Sequence, residues 1–318
     1  MTCSRQALAA RILSAGRAGY MSSIPKITIG MPAYNSEATI RASIESLLGQ
    51  SFGDFELIVS DNASTDSTRD IVESLAQQDC RIRYLCQPEN IGANLNYSSV
   101  ARAARGEYFK WASSSDWCAP TFLVKCLISL EQNADAVLAA PRTRLFAGDL
   151  TTATDYMHDI EILDSSPVTR LVRLTSNLGL NNAVNGLIRM AALRRTRLID
   201  LFYGADVVLM GHLAMLGKII RVDEFLYYRR MEVATATVLQ NSVAWRKHHY
   251  PQMSARVFFQ WSKRNCGWIR ACLATPMSVT ERTQVLNYLV KMCYWDRRSL
   301  MNDVQGAFQY ATQRVLRK

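Results

Sequence analysis

Four short polar clusters, each placed just after an apolar run, hold the residue types in this chain best suited to chemistry. They are Pro32-Ala33-Tyr34-Asn35 after 26–31, Asp61-Asn62 after 55–60, Asn90 with Gly92 after 81–85, and Ser113 to Asp116 after 107–112. A carboxylate beside an amide can hydrogen-bond a nucleobase or ribose, and a helix N-terminus opposes a phosphate. Taken singly, each cluster is ordinary turn chemistry. Their recurrence after successive apolar runs points instead to one shared ligand edge. The densest is the last, within GEYFKWASSSDWCAP at 106–120, where three serines and one acid separate an aromatic run from a proline.

Bringing such clusters together requires strands that end on one side, and the hydrophobic periods predict them. Residues 26–31, 55–60, 81–85, 107–112 and 135–140 read as strands, the second buried on both faces because its apolar run is continuous. Between them lie helical periods, such as Ile40, Ile44, Leu47 and Leu48, with Asn35 or Ser36 as the expected cap. Pro120 is placed to open the helix that carries Phe122, Val124, Leu127 and Leu130. Four strand–helix units in succession predict a doubly wound, mostly parallel α/β sheet. Beyond Pro141 the pattern predicts a β-ribbon turning at Gly148-Asp149, a helix over 167–174, and a strand in NAVNGLIRM. A helix over 201–216 comes next, with Val207, Met210, Leu213 and Ala214 inward, and then two edge strands, KIIRV and EFLYYRR.

Charge divides the chain more sharply than composition does. Residues 241–318 carry thirteen Lys/Arg against Glu281, Asp296 and Asp303, enough by themselves for the formal +10 of the whole chain. The expected domains are accordingly a flexible extension over 1–24, an α/β domain over 25–240, and a basic, aromatic helical region over 241–318. Residues 1–20 add Arg5, Arg11 and Arg17 in a stretch that superficially resembles a transit peptide but reads rather as a frayed tail, or as an upstream start with the working start at Met21. The near-neutral middle is no nucleic-acid platform, so no nucleic-acid partner is expected. With no apolar run of about 18 residues, no transmembrane helix is expected. Eight cysteines without a C-x-x-C pair read as reduced, mostly buried thiols of a cytoplasmic protein.

The residues just beyond the strands exclude several chemistries. The first strand leads into MPAYNSE and not into G-x-G-x-x-G, and no G-x-x-x-x-G-K-[ST] or H-E-x-x-H occurs. The four histidines, His158, His212, His248 and His249, are scattered and read as structural or surface rather than catalytic.

MPAYNSEATIRASIESLLGQSFGDFELIVSDNASTDST, continuing through PENIGANLNYSSVARAARGEYFKWASSSDWCAP and resuming at GADVVLMGHLAMLGKIIRVDEFLYYRR, resembles the inverting family 2 glycosyltransferases. The resemblance covers about residues 25 to 230. It implies the GT-A fold, a Rossmann-like nucleotide-binding half joined to an acceptor half, and transfer from a nucleoside diphosphate sugar, UDP-linked, to a glycan or lipid-linked hydroxyl. It implies that Pro32, Ala33, Tyr34 and Glu37 line the nucleotide pocket, that Asp61 accepts from the base, and that Asp206 is the general base. Asn90, Lys110, Ser114, Ser115 and Asp116 join the nucleotide-side set, with Arg229 and Arg230 toward the phosphates. Inversion requires a carboxylate to take the attacking hydroxyl's proton while the diphosphate leaves from the opposite face; at a helix N-terminus Asp206 is also favoured by the dipole alone.

Departures from the family pattern fall at the metal corner. Asp116 matches the last acid of a D-x-D-D stretch, Pro120 standing four residues beyond it, but the first two carboxylate positions are Ser113 and Ser115. The family's histidine after the YYRR-like strand is absent, the chain reading Arg229-Arg230-Met231-Glu232. Hard divalent cations favour carboxylate oxygens. A Mg²⁺ or Mn²⁺ ion is therefore expected to be held weakly through Asp116 and Ser115 or to be dispensable, with Arg229, Arg230 or Lys110 neutralising the leaving group. The alternative is a catalytically weakened sugar-nucleotide-binding or scaffold protein on the same fold. For the tail, the expectations are peripheral contact with the inner face of an anionic membrane near a lipid-linked acceptor, or a helical cap or oligomer interface.

Overall fold

The computed structural model describes residues 24–231 and 259–316. The expected extension up to residue 23, the start at Met21, the boundary near 240, and Glu232, Trp245, His248, His249 and Phe258 lie outside the described residues. Mostly apolar side chains make β1 (Ile27–Ala33) and β2 (Phe55–Asp61) interior strands, buried along their whole length. They pair in parallel with each other, β2 with β3 (Ile82–Cys86), and β1 with β4 (Tyr108–Trp111). The intervening helices are α1 (Ile40–Leu48), α2 (Thr68–Gln78) and α3 (Ala93–Arg102).

After β4 come the two-residue β5 (Trp117–Cys118), α4 (Phe122–Glu131), and the long β6 (Ala136–Phe146). Strand β7 (Thr154–Tyr156) folds back antiparallel on β6, the ribbon expected from Gly148-Asp149. Next are α5 (Pro167–Asn177), β8 (Leu187–Arg189), the single turn α6 (Met190–Leu193), α7 (Ala205–Leu216) and β9 (Lys218–Arg230). Among the described residues the strand order is β3-β2-β1-β4-β8-β6-β9-β5, a mixed sheet whose first four strands are parallel.

Three local expectations are corrected by tertiary pairing. KIIRV and EFLYYRR form the single strand β9, flanked by β6 and β5 rather than lying at an edge. Register shifts around Pro141 and Arg142 of β6 let the two halves run on as one. The cap of α1 is Thr39, not Asn35 or Ser36, because both of those are turned toward the second and fourth strand loops. Pro120 precedes the N-cap Thr121 and does not open α4 itself.

Two apolar layers cover the sheet. One holds α1, α2 and α4 side chains, such as Ile44, Val72 and Leu127. The other joins Val100 of α3, Leu171 of α5 and Met210 of α7 to Trp268 of α8 (Gln260–Ala274) and Val285 of α9 (Val279–Trp295). A last helix, α10 (Arg297–Leu316), continues from α9. These helices explain why α7 is buried on nearly all sides and not only on its predicted apolar stripe. Gly211 of α7 lets the Trp268 ring lie directly on the helix backbone: a Cβ there would stand 2.1 Å from Trp268 Cζ3. Of the seven described cysteines, all free thiols, Cys80, Cys86 and Cys266 are exposed, against the expectation of mostly buried thiols. No helix among the described residues is long and apolar enough to cross a membrane.

Gly211→Ala must displace Trp268 or α7, so its urea-unfolding free energy should fall by about 1–3 kcal/mol; an unchanged value would refute this packing. His212, its neighbour, is buried, and burial together with the Arg195 charge pushes its imidazole down to about 4 from 6.5. The unfolded chain therefore takes up this proton first as pH falls, and stability present above pH 6.5 is lost progressively toward about pH 4. The expected loss is about 2–4 kcal/mol. Unfolding curves across that interval should show it, and His212→Leu should flatten the dependence.

Candidate active site

Parallel pairing places the ends of β1, β2, β3 and β4 at one edge, and a cleft of about 240 Å³ opens there. Its walls come from Pro32, Ala33, Tyr34 and Ser36 after β1, Asn62 after β2, Ala93, Asn96 and Tyr97 of α3, and Ser113 to Asp116 after β4. Asn185, Tyr227, Arg229 and Arg230 close the far side. A depression of about 290 Å³ lies elsewhere, against Gly106, Glu107 and Arg189, at the amino end of β4. The ligand edge of an open α/β sheet is the carboxyl one, which makes the cleft at the ends of β1 to β4 the candidate site.

Side-chain hydrogen bonds lock the loops of this edge to one another. Asn35 N–H donates to Ser64 Oγ at 2.9 Å, and Asn35 Oδ1 accepts from Thr65 N–H at 2.9 Å. The Ser36 and Ser114 hydroxyls meet at 2.8 Å, and Thr39 Oγ1 donates to the Ser114 carbonyl at 2.9 Å. Both loops hold a non-glycine residue in the left-handed region, Asn35 at φ 47° and Ala63 at φ 58°. Such backbone is costly for Ala in particular and persists only where the surroundings over-determine it.

Among the described residues, Asp116 is the one acid on the cleft wall. Tyr227 Oη donates to its Oδ2 in a short hydrogen bond, and Arg230 N–H donates to Oδ1 at 2.9 Å. Burial pushes this carboxyl above the usual range, although the Tyr227 and Arg230 donors and the Arg229 and Lys110 charges oppose the rise. Pairing of Trp117-Cys118 with Tyr228-Tyr227 is what seats the serine turn against the end of β9. Arg230 Nε donates to the Ser115 carbonyl at 3.2 Å, and Arg229 Nη1 to Asn182 Oδ1 at 2.7 Å. Asn182 is braced in turn by Asp159, to which it donates at 3.0 Å.

Asp206 stands in the first turn of α7, entered through Gly204 at φ 74°, a conformation that suits glycine. It does not line the cleft, but its Oδ2 accepts from Asn181 Nδ2 at 2.9 Å. Asn181 Oδ1 is buried and meets no donor among the described residues. Tyr97, on the cleft wall, feels the whole group: burial first, then Asp116 and Asp206, push its phenol up to about 12 against the pull of Arg229.

Of the residues singled out from sequence, Pro32, Ala33, Tyr34, Ser114, Ser115, Asp116, Arg229 and Arg230 come together in the cleft. Besides Asp206, four are placed otherwise. Glu37 turns away to accept from Ser67 N–H at 2.9 Å. Asp61 is 1% exposed, with Tyr84 Oη and Ser64 N–H on its two oxygens, and Asn62 faces the cleft in its stead. Asn90 stands behind Asn62, accepting from its Nδ2 at 2.9 Å. Lys110, completely buried, donates to the Trp111 and Asn185 carbonyls at 2.9 Å each, behind the wall rather than on it. Asn96, Tyr97, Asn185 and Tyr227 carried no separate signal, apart from the helical spacing of Ala93, Asn96 and Tyr97.

As a seat for Mg²⁺ or Mn²⁺ this corner fits poorly. Hard cations gather several oxygen anions, whereas here one engaged carboxylate stands with two hydroxyls and two guanidinium groups. No group of three His, Cys, Asp or Glu side chains capable of holding a metal is present among the described residues.

Comparison with known proteins agrees with this architecture. An uncharacterized glycosyltransferase of Haemophilus influenzae is 34% identical over 110 residues, 35% of this chain and 44% of that protein. The GalNAc(5)-diNAcBac-PP-undecaprenol beta-1,3-glucosyltransferase of Campylobacter jejuni is 34% identical over 94 residues, 29% of this chain and 30% of that one. These matches thus span less than half the length of the curated relatives. The crystal structure of S. aureus TarS 1–349 superposes with a TM-score of 0.54 at 18% identity, covering 91% of each chain, which establishes the shared GT-A fold. The family described as Glycosyl transferase family 2 matches residues 28–154, the part that builds β1 to β6 with the serine turn between them. The similarity to glycosyl transferase family 2 thus lies in residues 28–154, and the fold is the one shared with TarS.

Proposed function

We propose that this protein transfers a sugar, with inversion, from a UDP-linked donor to a hydroxyl of a glycan or lipid-linked acceptor. The observation that carries the reading is the hydrogen-bonded tie between Arg229 on the cleft wall and the carboxylate of α7. The neighbouring amides Asn181 and Asn182 hold Asp206 and Arg229 respectively, joining the two functions through adjacent residues. TarS, of the same fold, has been crystallised with UDP and with UDP-GlcNAc. The Campylobacter jejuni relative is named for a lipid-linked acceptor.

In this reading the nucleoside lies along Pro32, Ala33, Tyr34 and Asn62, and the diphosphate between the serine turn and Arg229-Arg230. Asp206 takes the proton of the attacking hydroxyl as the sugar inverts, a contribution of general-base type. The helical tail brings the acceptor near: Tyr294, Trp295, Met301, Val304 and Phe308 are exposed apolar side chains, with Lys291, Arg297 and Arg298 exposed among them. Such a mixture complements an anionic membrane surface, where each cation is worth about 1 kcal/mol.

Asp206→Asn should leave calorimetric UDP affinity within a factor of two while lowering transfer about 10²–10⁴-fold. Unchanged transfer would remove Asp206 as the base. UDP binding without turnover under any metal would leave the sugar-nucleotide-binding reading in place of the enzyme. In a vesicle-sedimentation assay, anionic but not neutral vesicles should retain the protein, and charge reversal at Arg297 and Arg298 should weaken that retention; equal binding to both vesicle types would overturn the membrane contact.

A further inference from the structure

We infer that the positive charge facing a bound diphosphate is supplied by the Arg229–Arg230 pair of β9 in place of a divalent cation. Asp116 then serves as a positioning residue for that pair and not as a metal ligand. The inference rests on the nucleotide-sugar reading above and specifies how its phosphates are held.

Charge is the first argument. Among the described residues that line the cleft, Arg229 and Arg230 are the bases and Asp116 is the acid, so these groups together are formally positive by one. A net-positive wall attracts a diphosphate and repels a dication. Hydrogen-bond sense is the second. Serine at 113 and 115 replaces acceptors by groups that can also donate, and the two hydroxyls lie 3.0 Å apart on the cleft wall. A hydroxyl can donate directly to a phosphate oxygen, which a carboxylate in its place could approach only through a bridging cation.

The third argument is what Asp116 does. Its two oxygens receive the Tyr227 hydroxyl and the Arg230 N–H, so this carboxylate is engaged in fixing the end of β9. Those same bonds hold Arg230 where its Nε reaches the Ser115 carbonyl. Arg229 is aimed independently, through Asn182 and Asp159. Two braced guanidinium forks beside a hydroxyl-bearing turn match the shape of phosphate oxygens, as a lysine point charge would not.

Titration calorimetry of the full chain with UDP and with inorganic pyrophosphate, each in EDTA and in excess Mn²⁺, tests the assignment. Both ligands should bind in EDTA within about threefold of their Mn²⁺ affinity, a difference near 0.6 kcal/mol. Arg229→Ala should weaken pyrophosphate at least tenfold and leave uridine unaffected, with Arg229→Lys, which keeps the charge but loses the fork, falling between. Ser115→Asp should weaken pyrophosphate in EDTA and make its binding respond to Mn²⁺. Thermal unfolding of each variant verifies folding, and Arg229→Lys preserves the test if the alanine variant unfolds. UDP binding that demands Mn²⁺, or pyrophosphate affinity untouched by either Arg229 substitution, would overturn the inference. Metal-independent pyrophosphate binding with no preference for UDP would instead sink the nucleotide reading and leave the arginine site standing.

Discussion

Because β1 runs parallel to β2 and β4, with Ala33 opposite Asp61 and Gly30 opposite Trp111, all three chains leave the sheet at the same edge. Each must then reverse direction within a few residues, and the reversals crowd together. Asn35 and Ala63 absorb the crowding in left-handed backbone, and Asn35, Ser36, Ser64, Thr65 and Ser114 share hydrogen bonds across the gaps. The cleft is what remains between loops whose positions are over-determined. Side chains that answer to loop geometry, such as Glu37 and Asp61, are committed to the scaffold and leave the ligand-facing positions to their neighbours.

A second constraint comes from the other end of the chain. β9 is long enough, at 13 residues, to pass along β6 and still reach the serine turn with Tyr227, Arg229 and Arg230. Strand pairing sets the register, and the Asp116 carboxylate sets the final contact. The α5 and α7 helices approach from the opposite layer and bring the loop at Asn181-Asn182 with them. Whatever binds in the cleft therefore meets groups from both halves of the molecule. The C-terminal helices matter here at one remove, since Trp268 lying on Gly211 holds α7, and with it Asp206, against the sheet.

Much of this is legible in the residues. A continuous apolar run identifies β2 as an interior strand, helical periods locate α1 to α4, and the recurrence of polar clusters after strands marks the cleft edge. The serines at 113 and 115 already signal a changed metal corner. What escapes is the assignment of individual side chains within clusters. Asp61 and Asn62 are adjacent and alternate across the strand end, so one faces inward and the other the cleft, and nothing local says which. Lys110 reads as a phosphate contact because lysines generally stay at surfaces; its complete burial against two carbonyls depends on where β8 and the turn before it pack.

Alone, the sequence determined the class of sheet, the edge at which ligands meet it, and the chemical types available there, because hydrophobic period and turn residues act over a few positions. Tertiary structure decided the rest. It merged two predicted edge strands into the single β9, since pairing partners over 70 residues away set its register. It made Asp116 a tie between the serine turn and Arg230, since which donors reach a carboxylate's two oxygens is set by the packing. Those donors come from residues 111 and 114 positions along the chain, a separation that no local pattern records.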